Sequence, residues 1–203
     1  MKTVYPKATI KSQHIKKDRL DVIYPVVEGL TNKRIQDYIN SVMFNITNET
    51  ITKLGYYENP MTEITGRYHI RTNEECILSI SIEIYAFSGG AHGFTILESV
   101  TFDLKTGKIY HLKDFFKECV DYVSFISEII KKQIIEREIP VIEEFTAIKP
   151  DQDFYIENTN LVIYFQLYEL APYYLGFVTF NIPLAELCNT VGSTITCNFC
   201  SHI

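Results

Sequence analysis

A chain of 203 residues, 46% hydrophobic and 22% charged, is long enough for one large domain or two small ones and apolar enough to bury a core without staples. A net charge of −6 disfavours the basic face that phosphate contacts need, so no nucleic-acid partner is expected, while a basic partner would be attracted. No run of about 20 apolar residues occurs, so no membrane-spanning helix is expected in this chain.

The first strands are read over residues 8–14 and 20–27, with Pro25 marking an edge position or a bulge. The first 17 residues carry five lysines and no apolar segment, which is not a signal peptide. The compartment is therefore cytoplasmic on that ground, unless a leader precedes Met1. Thr31 is the expected N-cap of a helix over 32–54, where Ile35, Tyr38, Ile39, Val42, Met43 and Ile46 make one stripe. Asn45, Thr47, Asn48 and Thr50 weaken its second half.

Strands are predicted at 62–72 and 76–87, turning through residues 73–75. Leu78, Ile80, Ile82 and Ile84 share one face, and Ser79, Ser81, Glu83 and Tyr85 the other, as in a half-buried strand. Residues 88–92 form the loop to the next strand, 93–103, with glycines at the positions that need positive φ. Residues 103–108 turn tightly, and 109–110 return briefly as a strand. A second helical region spans about 111–138, with Cys119, Val123, Ile126, Ile130 and Ile134 at helical spacing and Pro140 as its stop. Glu143 and Glu144 fall on a loop. A hairpin follows at 154–157 and 161–168, then a loop over 169–176, a strand through Val178, Phe180 and Ile182, a helical turn at 183–188 and a tail. Strands, helix, strands, helix, strands is an α+β grammar: two strand–helix–strand units, antiparallel sheets with helices packed on them.

The chemistry-bearing residues divide by context. Ser88 and His92 flank Gly89 and Gly90 on a bare loop. They lack the strand-to-helix elbow of a serine hydrolase and a third orienting residue, so catalysis, loop fixation and a binding surface stay open for His92. Cys197, Cys200 and His202 have chelating spacing, but structural zinc asks for four ligands. Cys188 completes the set only if the tail folds back, and a tail disulfide and free thiols are the alternatives. No metal and no other cofactor is assigned. Glu169 precedes Pro172, Tyr173 and Tyr174 on the second bare loop. Tyrosines there are rigid aromatic anchors, and Pro172 lowers the entropy lost on ordering the loop.

Four motifs stand in order: Ser-Gly-Gly-Ala-His-Gly at 88–93, Phe-Asp-Leu-Lys-Thr-Gly-Lys at 102–108, Leu-Lys-Asp-Phe-Phe at 112–116 and Tyr-Phe-Gln-Leu-Tyr-Glu-Leu-Ala-Pro-Tyr-Tyr-Leu-Gly at 164–176. Together, over about residues 5–187, they resemble the paired domains of unknown function found outside the membrane in RsiV-type anti-sigma factors and beside the catalytic domain of PdaC-type deacetylases. The resemblance implies an N-terminal domain over 1–103, a C-terminal domain over 104–187 and a separate cysteine-containing tail over 188–203. It implies an extracytoplasmic place, against the missing signal peptide. It also implies a non-catalytic binding module for a cell-wall-related ligand, a lysozyme-like protein or a peptidoglycan or chitin glycan. The contact residues implied are Ser88, Gly89, Gly90 and His92 on one loop and Pro172, Tyr173 and Tyr174 on the other; Glu169, the acidic residue beside Pro172, joins them as a ligand-binding candidate on its position alone. An acidic chain steers toward a basic lysozyme. A small hydrolase using His92 and Glu169 as acid–base groups, and an accessory subunit of a wall-remodelling or signalling partner, are the alternatives.

Overall fold

Apolar residues two apart build the strands and apolar stripes of 3.6-residue period build the helices, in a computed structural model that describes residues 7–191. The protein is α+β, with a five-stranded and a three-stranded sheet. The chain divides into two units, Met1–Ile109 and Tyr110–Ile203.

In the first unit β1 (Thr9–Lys17), β2 (Leu20–Glu28), β3 (Glu63–Glu74), β4 (Ile77–Phe87) and β5 (Phe94–Asp103) lie in sequence order across the sheet. All neighbours are antiparallel except β2 and β3, which run parallel from Leu20↔Ile64 to Val22↔Gly66. A parallel pair needs a crossover, and helix α1 (Lys33–Lys53) supplies it. Beyond Val22, β2 is paired by β1 alone, so Pro25 meets an edge environment on an interior strand. The carboxamide of Asn40 on α1 stands in for the missing neighbour. It accepts from the Val27 N–H at 2.7 Å and donates to the Val27 carbonyl at 3.0 Å.

Asn32, not Thr31, caps α1, because its carboxamide oxygen reaches the N–H groups of Arg34 and Ile35. The buried face is also rotated from the expected stripe. Tyr38 is exposed, while Thr47 and Thr50 are buried beside Ile39, Met43 and Ile51. Their hydroxyls are satisfied inside the helix, donating to the carbonyls of Met43 and Ile46 at 2.8 Å each. This face packs with Val22, Ile64, Ile80, Ile82, Ile84 and Phe102 into the core.

The polar face of β4 is likewise not a solvent face at its start. Ser79 and Ser81 are fully buried, and Ser79 pairs with the buried Thr101 hydroxyl at 2.8 Å. Small hydroxyl residues fit there because each finds a partner; Ser81 accepts from Arg71 at 2.9 Å. The turn before β4 falls on Glu75 and Cys76, both at positive φ, rather than on 73–75, since β3 continues to Glu74.

In the second unit β6 (Phe154–Glu157), β7 (Asn160–Phe165) and β8 (Val178–Pro183) form an antiparallel sheet. The helix expected over 111–138 is two pieces, a 3-10 turn at Leu112–Phe115 and α2 (Tyr122–Glu136). Asp121 starts α2 by accepting from the Ser124 N–H at 3.1 Å and its hydroxyl at 2.7 Å, which breaks the chain between the two. The helix stops at Arg137, and Glu138 turns left-handed (φ 49°), before Pro140 acts. The strand expected at 109–110 is a single bridge, Ile109 to Phe102. α2 covers the open side of β8: Gln133 donates to the Asn181 carbonyl at 3.0 Å, and Arg137 to the Thr179 carbonyl at 2.7 Å. Helix α3 (Leu184–Val191) follows β8 directly.

Candidate functional site

The alternation of β4 and β5 runs out at the pair Ala86↔Phe94, and the residues between them bulge from the sheet end of the first unit. Gly89 and Gly90 sit at φ 87° and 106°, a region open to glycine but strained for other residues. The tip is bare and exposed from Gly89 to His92, while Ser88 is half-buried. Both feet are tied. The Ser88 hydroxyl pairs with that of Thr62 at 2.9 Å, and the His92 Nδ1–H donates to the Gly93 carbonyl at 2.9 Å. Gly93 is buried: a Cβ there would lie 2.4 Å from the Ala86 carbonyl oxygen and 2.3 Å from the Tyr85 ring. The loop is thus a fixed, side-chain-poor presentation of backbone, with the exposed Met61 side chain beside Gly89.

In the second unit β7 ends at Phe165 because residues 166–169 close a turn, the Glu169 N–H donating to the Gln166 carbonyl at 3.0 Å. Leu170 and Ala171 then bury themselves, and Pro172 opens a 3-10 turn over Tyr173–Leu175. Proline fixes the turn entry. The side chains split by exposure: Leu170 and Ala171 anchor, Tyr173 is half-buried, and Tyr174 is 75% exposed. Tyr173 is supported by the Tyr168 ring, with centroids 5.4 Å apart.

Glu169 fastens this loop. Its Oε1 accepts from Lys149 Nζ at 2.6 Å and its Oε2 from the Gln166 N–H at 2.8 Å. That hydrogen bond and the adjacent charge hold the Lys149 ammonium above its ordinary range, burial opposing and Asp153 and Asp151 adding slightly. With both oxygens engaged, Glu169 is placed as a loop fastener.

Alternation through Leu167 predicts a strand that includes Tyr168, but the strand ends at Phe165. Tyr168 has φ 65°, rare for a bulky residue, and half its surface is exposed. It lines a cleft of about 360 Å³ with Glu143, Glu144, Phe145, Lys149 and Glu169. The available signal was the Gln166-to-Glu169 spacing, which fits a closed turn better than a strand. Cys197, Cys200 and His202 lie outside the described residues. Among the described residues no group of three or more His, Cys, Asp or Glu is placed to hold a metal, and no helix is long and apolar enough to cross a membrane.

Comparison with known proteins places these loops in family domains. Residues 11–95 match the family model described as deacetylase PdaC, and residues 113–185 match the protein of unknown function DUF3298. The chain is 32% identical over 186 residues to the anti-sigma-V factor RsiV of Bacillus subtilis, a match covering 84% of this chain and 64% of RsiV. It is 29% identical over 121 residues to the peptidoglycan-N-acetylmuramic acid deacetylase PdaC of the same organism, covering 56% of this chain and 26% of that one. The chain therefore spans less than two thirds of the length of either curated relative. Two crystal structures of DUF3298 family proteins share its fold. One from Bacteroides fragilis has a TM-score of 0.69 at 14% identity, covering 96% of this chain and 94% of that one. The other, from Pseudomonas aeruginosa, has a TM-score of 0.65 at 13% identity, covering 94% of both. The protein is thus RsiV-like and PdaC-like, carrying a PdaC-family domain followed by a DUF3298-family domain.

Proposed function

We propose that this chain is a non-catalytic binding module of the cell-wall-related, anti-sigma-factor-like kind, working outside the membrane. Its ligand is a lysozyme-like protein, for which Pro172, Tyr173 and Tyr174 of the second unit are the contacts proposed, residues 88–92 of the first unit being a candidate contact loop in their own right. The observation that carries this reading is Tyr174, 75% exposed on a turn that Pro172 and Glu169 fix in place. A large exposed aromatic on a preorganised loop is a binding anchor, since little entropy is lost on contact. In the first unit, the bare tip at Gly89 and Gly90 lets a partner approach the backbone. The net charge of −6 favours encounter with a basic protein.

Calorimetric titration of the chain with lysozyme, and separately with chitin and peptidoglycan oligomers, tests the reading. Saturable binding of lysozyme without turnover of the glycans is expected. Binding of the oligomers alone would move the ligand to a wall glycan, and glycan turnover lost in His92→Ala would establish the hydrolase instead.

A further inference from the structure

The cleft beside Tyr168 is held open by bonds at both ends. The Ile142 N–H donates to the Leu170 carbonyl at 3.0 Å at one end, and Lys149 pairs with Glu169 at the other. Its wall is aromatic, with Phe145 packed edge-on to Phe165 at 5.9 Å. Glu143 and Glu144 stand exposed at its lip, with no hydrogen bond or ion pair to any described residue. The volume of about 360 Å³ lies in the range of ligand pockets, roughly 300–1,000 Å³.

We propose, resting on the reading of this chain as a protein-binding module, that this cleft receives one arginine side chain of the docked partner. The polar groups on its inner wall are already engaged: Lys149 with Glu169, Glu169 with the Gln166 N–H, and Gln152 with the Tyr164 carbonyl. Among the charged lining groups the two lip carboxylates alone are unpaired, beside the Thr146 and Tyr168 hydroxyls. A guanidinium is donor-only and forks onto carboxylates, whereas a neutral sugar brings no charge to offset theirs. The methylene stem of the arginine lies against Phe145, as long cationic side chains do on apolar surface, and the half-exposed Tyr168 ring offers a cation–π face. Lys149 does not repel the guest, because Glu169 neutralises it and Asp151 and Asp153 add negative potential. Three lining carboxylates against one ammonium leave two negative charges in excess.

Arginine amide, lysine amide, glucosamine and N-acetylglucosamine are titrated into the whole chain, following the Phe145 and Tyr168 ring resonances. Arginine amide is expected to shift both rings saturably. A Glu143→Gln, Glu144→Gln variant, which removes only exposed unpaired charges and so should fold, is expected to bind about threefold or more weakly. Phe145→Ala is expected to weaken it as well. No saturable shift, a shift indifferent to the lip substitutions, or equal binding of lysine amide or glucosamine would overturn the assignment. Arginine amide that fails to bind while Tyr174→Ala still weakens lysozyme binding removes the cleft and leaves the binding-module reading standing. Arginine amide that binds while Tyr174→Ala leaves lysozyme affinity unchanged keeps the cleft and removes the Tyr174 contact instead.

Discussion

Lys149 Nζ sits 2.6 Å from Glu169 Oε1, and through that contact the segment ahead of β6 fastens the loop that carries Tyr173 and Tyr174. The relationship explains why a glutamate on a prospective binding loop is only 19% exposed. It orders the loop and leaves Tyr174 exposed.

The pair has a definite pH signature. The Lys149 ammonium is raised above its ordinary 10.5 in the folded chain, chiefly by the hydrogen bond and charge of Glu169. A raised cationic group stabilises fully below its unfolded value and loses that contribution as pH rises through the folded one. Lys149 is 67% exposed, so solvent screening limits the pair to about 0.2–1 kcal/mol. Urea unfolding should show Lys149→Met less stable than the parent at neutral pH, with the gap closing as pH rises past the ordinary 10.5 and through the raised folded value. A gap that persists at high pH would mean that the ammonium is not its source.

Gly93 is required by its neighbours. Gly93→Ala would press a methyl group against the Ala86 carbonyl, which cannot yield without moving the β4–β5 pairing. A loss of about 1–3 kcal/mol is expected, as for other overpacked sites. Gly90, with nothing within 4 Å of a built Cβ but φ of 106°, tests strain separately. Gly90→Ala should cost about 1–3 kcal/mol from conformation alone. Denaturant midpoints of both variants, with circular dichroism to confirm the fold, check these values.

Asn40 serves as a substitute strand. Asn40→Ala leaves the Val27 N–H and carbonyl without the side chain that pairs both, on a β2 segment that β3 does not reach. A loss of about 1–3 kcal/mol is expected, the cost of unsatisfied polar groups. Amide exchange at Val27 should accelerate in the same variant. Unchanged exchange would show that this N–H does not depend on the carboxamide.

Asp121 begins α2 and carries an acid-range signature. Its hydrogen bonds from Ser124 hold its carboxyl below the ordinary 3.8. A depressed carboxylate stabilises above its unfolded value and loses that contribution as pH falls through the folded one. Asp121→Asn should keep the cap at neutral pH yet lose part of the acid dependence, whereas Asp121→Ala should fray the first turn of α2 at all pH values. Thermal melts from neutral to strongly acid pH separate the two.

Periodicity made much of this architecture legible before any coordinates. Hairpins β4–β5 and β6–β7 and helix α1 follow directly from apolar spacings of two and of three to four. What escaped was set by partners distant in sequence. Ser79 and Ser81 read as a solvent face because alternation records polarity, not cover, and their burial depends on hydroxyl partners at Thr101 and Arg71. Thr31 and Asn32 are both good caps, and only the backbone direction chose Asn32. Tyr168 was hidden by the strand pattern that precedes it, because a turn through Gln166 and Glu169 overrides local propensity. Glu143 and Glu144 looked like an ordinary solvated loop, and only the fold places them beside Phe145 and Tyr168.

The central claim concerns anchoring by Tyr174, and calorimetry of lysozyme against the parent, Tyr174→Ala and Tyr57→Ala tests it most directly. Tyr57 is a fitting control, being 60% exposed just after α1 and outside both loops. Tyr174→Ala should weaken binding by more than about 1 kcal/mol, as loss of an anchor does, while Tyr57→Ala leaves it unchanged. Equal affinity for all three chains, or equal loss in both variants, would contradict the account.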